Sequence, residues 1–188
     1  MSSAASFQVS SFATDLGWVA VVGAGSTVRQ LVFGYPNEAA ALASLNRELF
    51  EQARLAKWCP ALVERLKEYA AGAAVDLSDV QVDLEHLTPF QRRVVTHCRA
   101  IAYGRTSSYG ALARAAGSVG AARAVGNTMA ANRYPLLVPC HRVINSDGSI
   151  GQFSSPDGPR MKARLLKLEQ GSGAVSRRPS KKRAASAC

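Results

Sequence analysis

The apolar positions of this chain change their period along its length, and the change divides it in two. Residues 1–10 are rich in Ser and Ala and predict a loosely held start. From Phe12 to Val22, and again from Thr27 to Gly34, aromatic and β-branched residues crowd together around Gly23-Ala24-Gly25, which predicts an antiparallel hairpin. After Pro36-Asn37 the spacing becomes helical. Ala41, Leu42, Leu45, Leu49 and Leu55 predict a helix within Glu38–Lys57, and Leu62, Leu66 and Tyr69 a second over Pro60–Tyr69. Between Gly72 and Glu85 the alternation of Val75, Leu77, Val80, Val82 and Leu84 predicts a short strand and the connection to a second domain.

The second half reads as mostly helical. Thr88 is an N-cap with Pro89 in the first helical position, and Phe90, Val94, Val95, Cys98 and Ile101 form the stripe that this helix buries. A short helix over Ser107–Ala116, a turn at Gly117-Ser118-Val119-Gly120 and a helix of small side chains over Ala121–Ala131 read as a helix-turn-helix. Leu136–Val138 reads as a short buried strand stopped by Pro139. Asn145–Gly151 is a turn leading into a loop over Gln152–Pro159, and Met161, Leu165 and Leu168 mark a last helix that closes with Glu169-Gln170-Gly171. The predicted class is α+β: a small N-terminal α/β domain (1–85), a mostly helical, winged-helix-like domain with the helix-turn-helix (86–170), and a basic, disordered tail (171–188).

Composition narrows the function. With 188 residues, 47% hydrophobic and 19% charged, the chain has the makings of a folded core. Its net charge of +10 points to a polyanionic partner. Half of that excess sits in the tail, at Arg177, Arg178, Lys181, Lys182 and Arg183, so the body remains basic without them. Cysteines at 59, 98, 140 and 188 lack CxxC pairing, and neither a signal peptide nor a long apolar run is present, which argues against a disulfide-stapled secreted fold or a membrane span and for the cytoplasm. Three histidines without metal-ligand spacing predict no metal site. Gly23-Ala24-Gly25 lacks a third glycine and precedes a strand, so it is no dinucleotide fingerprint.

The chemistry concentrates at Pro139-Cys140-His141-Arg142. A thiol attacks as thiolate, and an imidazole with a carboxylate behind it is what removes the proton. In extended backbone, neighbouring side chains point to opposite faces, so Cys140 and His141 can cooperate only if the chain bends here or a water lies between them. The alternative is a small buried hydrophobe at Cys140. A cysteine hydrolase is a further reading, but sequence adjacency is poor geometry for its dyad.

Pro139-Cys140-His141-Arg142-Val143, with Asn132 eight residues earlier and Arg123-Ala124-Val125-Gly126 upstream, resembles the alkylguanine-DNA alkyltransferases over roughly Thr88 to Gln170. The resemblance implies repair of double-stranded DNA by nucleotide flipping and irreversible, single-turnover transfer of an alkyl group from O6 of guanine, with O4 of thymine a further candidate, to Cys140. It implies a monomer that needs no cofactor and no membrane. His141 would take the Cys140 proton through a water, Glu169 would orient His141, and Asn132 would be the hinge joining the recognition helix to the active-site segment. Arg123 would fill the space of the extruded nucleotide, Tyr109 would hydrogen-bond the base, and Met129, Val143, Ser146, Phe153 and Ser154 would line the pocket. Two departures from the family pattern fall in the pocket loop: Phe153 replaces a usual tyrosine, and Ser154-Ser155-Pro156-Asp157-Gly158 replaces a shorter glycine-rich segment. Alkyltransferase-like damage sensors share the surrounding pattern but lack the cysteine, and a sensor that binds without efficient transfer is the alternative function. A cellular place with DNA follows: the cytoplasm, at the nucleoid in a bacterium, or the nucleus in a eukaryote.

Overall fold

The structure, a computed structural model, describes residues 7–171. Its N-terminal half is built on a sheet of order β4-β1-β2-β3-β5. Strands β1 (Phe7–Thr14), β2 (Gly17–Ala24) and β3 (Thr27–Tyr35) form an antiparallel meander, while β4 (Ala53–Leu55) joins β1 and β5 (Gln81–Val82) joins β3 in parallel. The expected single hairpin is therefore corrected to three strands. The first reversal is at Asp15-Leu16, where Gly17 has φ +98° and a Cβ would lie 2.9 Å from the Tyr35 carbonyl oxygen. Residues 7–10 are likewise in the sheet rather than loose, because the buried Ser10 hydroxyl donates to the carbonyls of Ala56 (2.9 Å) and Trp58 (2.8 Å).

Strand β2 is apolar at consecutive positions because both its faces are covered. Val19 and Val21 enter the main core, whereas Ala20 and Val22 pack with Ala41 and Leu45 on the other face. The helix expected over Glu38–Lys57 is broken into α1 (Glu38–Ala43) and α2 (Arg47–Glu51), and the segment ends as β4. Asn46 explains the break: its side chain accepts from Leu49 N–H and starts a new helix. Helix α3 (Pro60–Ala70) follows the expected range and buries Leu62, Leu66 and Tyr69.

In the second half, α4 (Pro89–Arg99) opens with a capping box between Thr88 and Gln91. Helices α5 (Tyr109–Ala115) and α6 (Ala122–Ala130) flank the glycine-containing turn, and α7 (Pro159–Gly171) closes the fold. A parallel pair of two-residue strands, β6 (Ser107–Ser108) and β7 (Val143–Ile144), ties the start of α5 to the segment after Cys140. One hydrophobic cluster runs through both halves, joining Leu31, Phe33, Leu66 and Tyr69 to Val94, Cys98, Val125 and Leu165. Cys98 and Cys140 are free, buried thiols, and Cys59 stands at the left-handed N-cap of α3. No helix among the described residues is long and apolar enough to cross a membrane. The expected disordered tail lies outside the described residues, apart from Gly171, the last residue of α7.

Candidate active site

The strand expected at Leu136–Val138 is instead a buried turn, with Leu136 at φ +73° and Val138 N–H donating to the Tyr134 carbonyl at 2.7 Å. Pro135 and Pro139, which bracket the segment, have no N–H to give a ladder, and Leu136, Leu137 and Val138 between them are buried. Pro139, at φ −76° and ψ 64°, forms the centre of an inverse γ-turn in which Cys140 N–H donates to Val138 O at 2.7 Å. A single 3₁₀ turn, Cys140–Arg142, follows. The backbone thus bends where extended geometry would have separated the thiol from the imidazole.

Asn132, just past α6, holds this bend. Its Nδ2 donates to Val138 O (2.9 Å) and to Cys140 Sγ (3.1 Å), and its Oδ1 accepts from Tyr134 N–H (3.0 Å). Burial pushes the Cys140 thiol up from its ordinary pKa, while the Asn132 hydrogen bond and the Lys162 charge pull it back. The resting group is a thiol that needs a proton acceptor when it attacks.

His141, the next residue in the turn, is fully buried. Its Nε2 lies 2.8 Å from Glu169 Oε1. Glu169 reaches the site from the last turn of α7, where four other donor groups converge on it. Arg142 Nε and Nη2 donate at 3.0 and 2.9 Å, Gly104 N–H at 2.9 Å, and Tyr69 OH, from α3, at 2.7 Å. Burial alone would raise the Glu169 pKa, but the hydrogen bonds from His141, Arg142 and Tyr69 hold it at about 2, so the carboxylate is charged. Burial lowers the His141 pKa against the opposing pull of Glu169, which leaves the imidazole neutral. A charged carboxylate at Nε2 puts the ring proton there. Nδ1 then carries the free lone pair, and it has no hydrogen-bond partner among the described residues.

Lys162 is buried on the inner face of α7; its Nζ donates to the Val143 carbonyl and to Tyr109 OH at 3.3 Å. Because Tyr109 accepts there, its own proton remains available to a ligand. Tyr109 lines a cleft of about 800 Å³ together with Arg123, Met129, Cys140, Phe153 and Ser154. Arg123 is exposed near the N-terminus of α6, and Ser154 Oγ donates to Ala130 O (2.8 Å), fastening the pocket loop to the end of that helix. The Phe153 ring meets Phe33 of β3 edge-on at 6.3 Å between centroids.

A family model described as the DNA-binding domain of 6-O-methylguanine DNA methyltransferase matches residues 89–171. The methylated-DNA-protein-cysteine methyltransferase of Mycobacterium leprae is 36% identical over 127 residues, which are 65% of this chain and 75% of that protein. The chain belongs to the methylated-DNA-protein-cysteine methyltransferase family. A DNA base-flipping protein of Thermus thermophilus is also similar, 42% identical over 106 residues, 56% of this chain and 69% of that one. The Mycobacterium bovis methyltransferase is 42% identical over 108 residues, which make up 57% of this chain and 63% of the relative. Across nearly the whole fold, the structure of Mycobacterium tuberculosis OGT in complex with DNA superposes with a TM-score of 0.74 at 32% identity, covering 87% of this chain and 93% of that one.

Of the residues expected from the methyltransferase family, Cys140, Tyr109, Arg123, Met129, Ser146, Phe153 and Ser154 meet at the cleft, with Asn132, His141 and Glu169 behind it. Val143 does not line the cleft; it is fully buried, paired with Ser107 and offering its carbonyl to Lys162. The sequence assigns no chemical role to Lys162, to Arg142 within its motif, or to Tyr69, a stripe residue of its helix. A signal existed for Lys162, which shares the buried face of α7 with Met161, Leu165 and Glu169. Nothing local marks Tyr69, whose partner Glu169 is 100 residues away.

Proposed function

We propose that this protein repairs double-stranded DNA as a monomer by moving an alkyl group from O6 of guanine onto Cys140, once per molecule. The observation that carries the reading is a buried thiol on a DNA-family cleft, backed by a neutral imidazole whose Nδ1 is free and whose Nε2 is bound to an ionised carboxylate. The alkylated guanine must leave the base stack to reach Cys140, and Arg123 at the mouth of the cleft fills the gap it leaves. Cys140 sulfur attacks the alkyl carbon. The S–C bond forms as the C–O6 bond breaks, and the bonding electrons pass to the guanine ring. The thiol proton passes to His141 Nδ1, through a water on the family's pattern, and Glu169 stabilises the imidazolium that results. Tyr109 donates to the leaving base, its oxygen steadied by Lys162. The thioether cannot be hydrolysed by this site, so turnover ends there and no cofactor takes part.

Residues 86–170 carry this chemistry in our reading, and residues 1–85 support it. The protein works where DNA is kept, in the cytoplasm at the nucleoid of a bacterium or in the nucleus of a eukaryote. Intact-mass analysis after incubation with an oligonucleotide containing O6-methylguanine tests the reading: one methyl increment on the Cys140 peptide is expected. The likeness to a base-flipping protein favours a second reading, a sensor that binds alkylated guanine without transfer. Tight binding with unchanged mass would establish that second reading instead.

A further inference from the structure

Tyr69 stands on α3, in the half of the chain whose sequence shows no chemistry, yet its side chain enters the centre of the buried network. It is 1% exposed. Its hydroxyl lies 2.7 Å from Glu169 Oε1 and 3.2 Å from His141 Nε2, the two atoms that bind each other at 2.8 Å. The three polar atoms form a closed triangle with two protons to share. Glu169 is ionised and can only accept, so the tyrosine proton and the Nε2 proton both point at Oε1. Burial and the neighbouring carboxylate raise the Tyr69 pKa, so that proton stays on the phenol.

We propose that Tyr69 is a positioning residue for alkyl transfer: its hydroxyl shares Glu169 Oε1 with His141, which holds the Nε2–H tautomer in place and moderates the pull of the carboxylate on the imidazole. The inference rests on the transfer reading above. Its physical content is a balance. A carboxylate that spends part of its charge on a tyrosine proton stabilises imidazolium less, so His141 remains neutral and able to receive the Cys140 proton. The other charged or titratable groups around His141 are Cys140 and Arg142 in its own turn and Glu169 and Lys162 on α7; Tyr103, after α4, packs edge-on against Tyr69 at 6.0 Å between centroids. Arg142 and Lys162 act in the same direction as Tyr69, disfavouring a second positive charge on the ring.

Tyr69→Phe keeps the ring and removes the hydroxyl. Without that donor, Glu169 turns more of its charge on His141, whose pKa rises. The acidic limb of the methyl-transfer rate should move up by about half a pH unit, and on that limb the variant should be about threefold slower. A lower melting temperature with an unmoved pH midpoint would reduce Tyr69 to a packing residue and overturn the proposal. Nitrogen-15 NMR of the imidazoles supplies a second measurement that needs neither DNA nor the variant. His141 of the unmodified protein should show the Nε2–H tautomer and should protonate below the ordinary histidine range; an Nδ1–H tautomer would overturn the proposal. The two readings fail separately. If the protein never gains a methyl group, the repair reading falls. If it does, and the Tyr69→Phe rate profile superimposes on that of the unmodified protein, only the role of Tyr69 falls.

Discussion

The floor and the outer wall of the cleft are built on opposite principles. The floor is buried and over-determined: the Glu169 carboxylate receives donors from His141, Arg142, Tyr69 and the Gly104 backbone, and each of the first three is itself buried. The wall, Gln152 to Gly158, mixes half-buried and exposed residues and is fastened by the Ser154 hydrogen bond and the Phe153–Phe33 ring contact. A low-dielectric floor makes each hydrogen bond to charge strong and each lost partner costly, so the chemistry tolerates little change. A solvated wall can vary in length and composition at small cost.

Breaking the floor should have the largest effects. Cys140→Ala removes the nucleophile, so no methyl-sized mass increment should form while binding to an alkylated duplex persists; an increment elsewhere on the chain would contradict the assignment. Glu169→Gln turns an acceptor facing Arg142 into a group that also carries N–H donors and strands the buried guanidinium, which should destabilise the fold by about 3–5 kcal/mol in denaturant titration and leave transfer barely measurable. A loss of under about 1 kcal/mol, the worth of an exposed pair, would show that the network is solvated.

Acid should act on the same floor in two steps. The His141 pKa is lowered by folding from its ordinary 6.5, so the unfolded chain binds that proton first, and stability declines as the pH falls below that value. Glu169 moves from 4.5 to about 2 on folding, so its contribution is complete above 4.5 and disappears as the pH drops toward 2. Equilibrium unfolding at a series of pH values checks both, and Glu169→Gln should erase the lower step.

At the mouth of the cleft the effects are smaller. Arg123→Ala should slow repair of duplex by about tenfold, the scale of one lost charged contact, and repair of single-stranded substrate much less; equal losses would exclude a role in flipping. On the wall itself, Phe153→Tyr should change the ratio of methyl to benzyl transfer by about fivefold or less, because one added hydroxyl at a partly solvated position is worth only a fraction of a kcal/mol to about one. A larger change would mean that the wall, too, is preorganised.

What the linear chain determined is local or carried in a motif. The Thr88 N-cap, Asn132, the Cys140-His141 pair, Arg123 on its small-residue helix and the last helix that closes at Glu169 were all legible, because each depends on neighbours within a few residues or on a spacing in the family pattern. The same local logic misled at Leu136–Val138, where an apolar run between prolines looked like a strand and is a packed turn. It also misled at Glu38–Lys57, where the pull of Asn46 as a cap outweighed a leucine spacing. Only the tertiary structure decided that Cys140 and His141 share a bend, that Lys162 lies beneath Tyr109, and that a tyrosine from α3 completes the site. The physical reason is distance along the chain. A buried charge takes its partners from whichever elements the core brings to it, and Glu169 found them 27, 28 and 100 residues away.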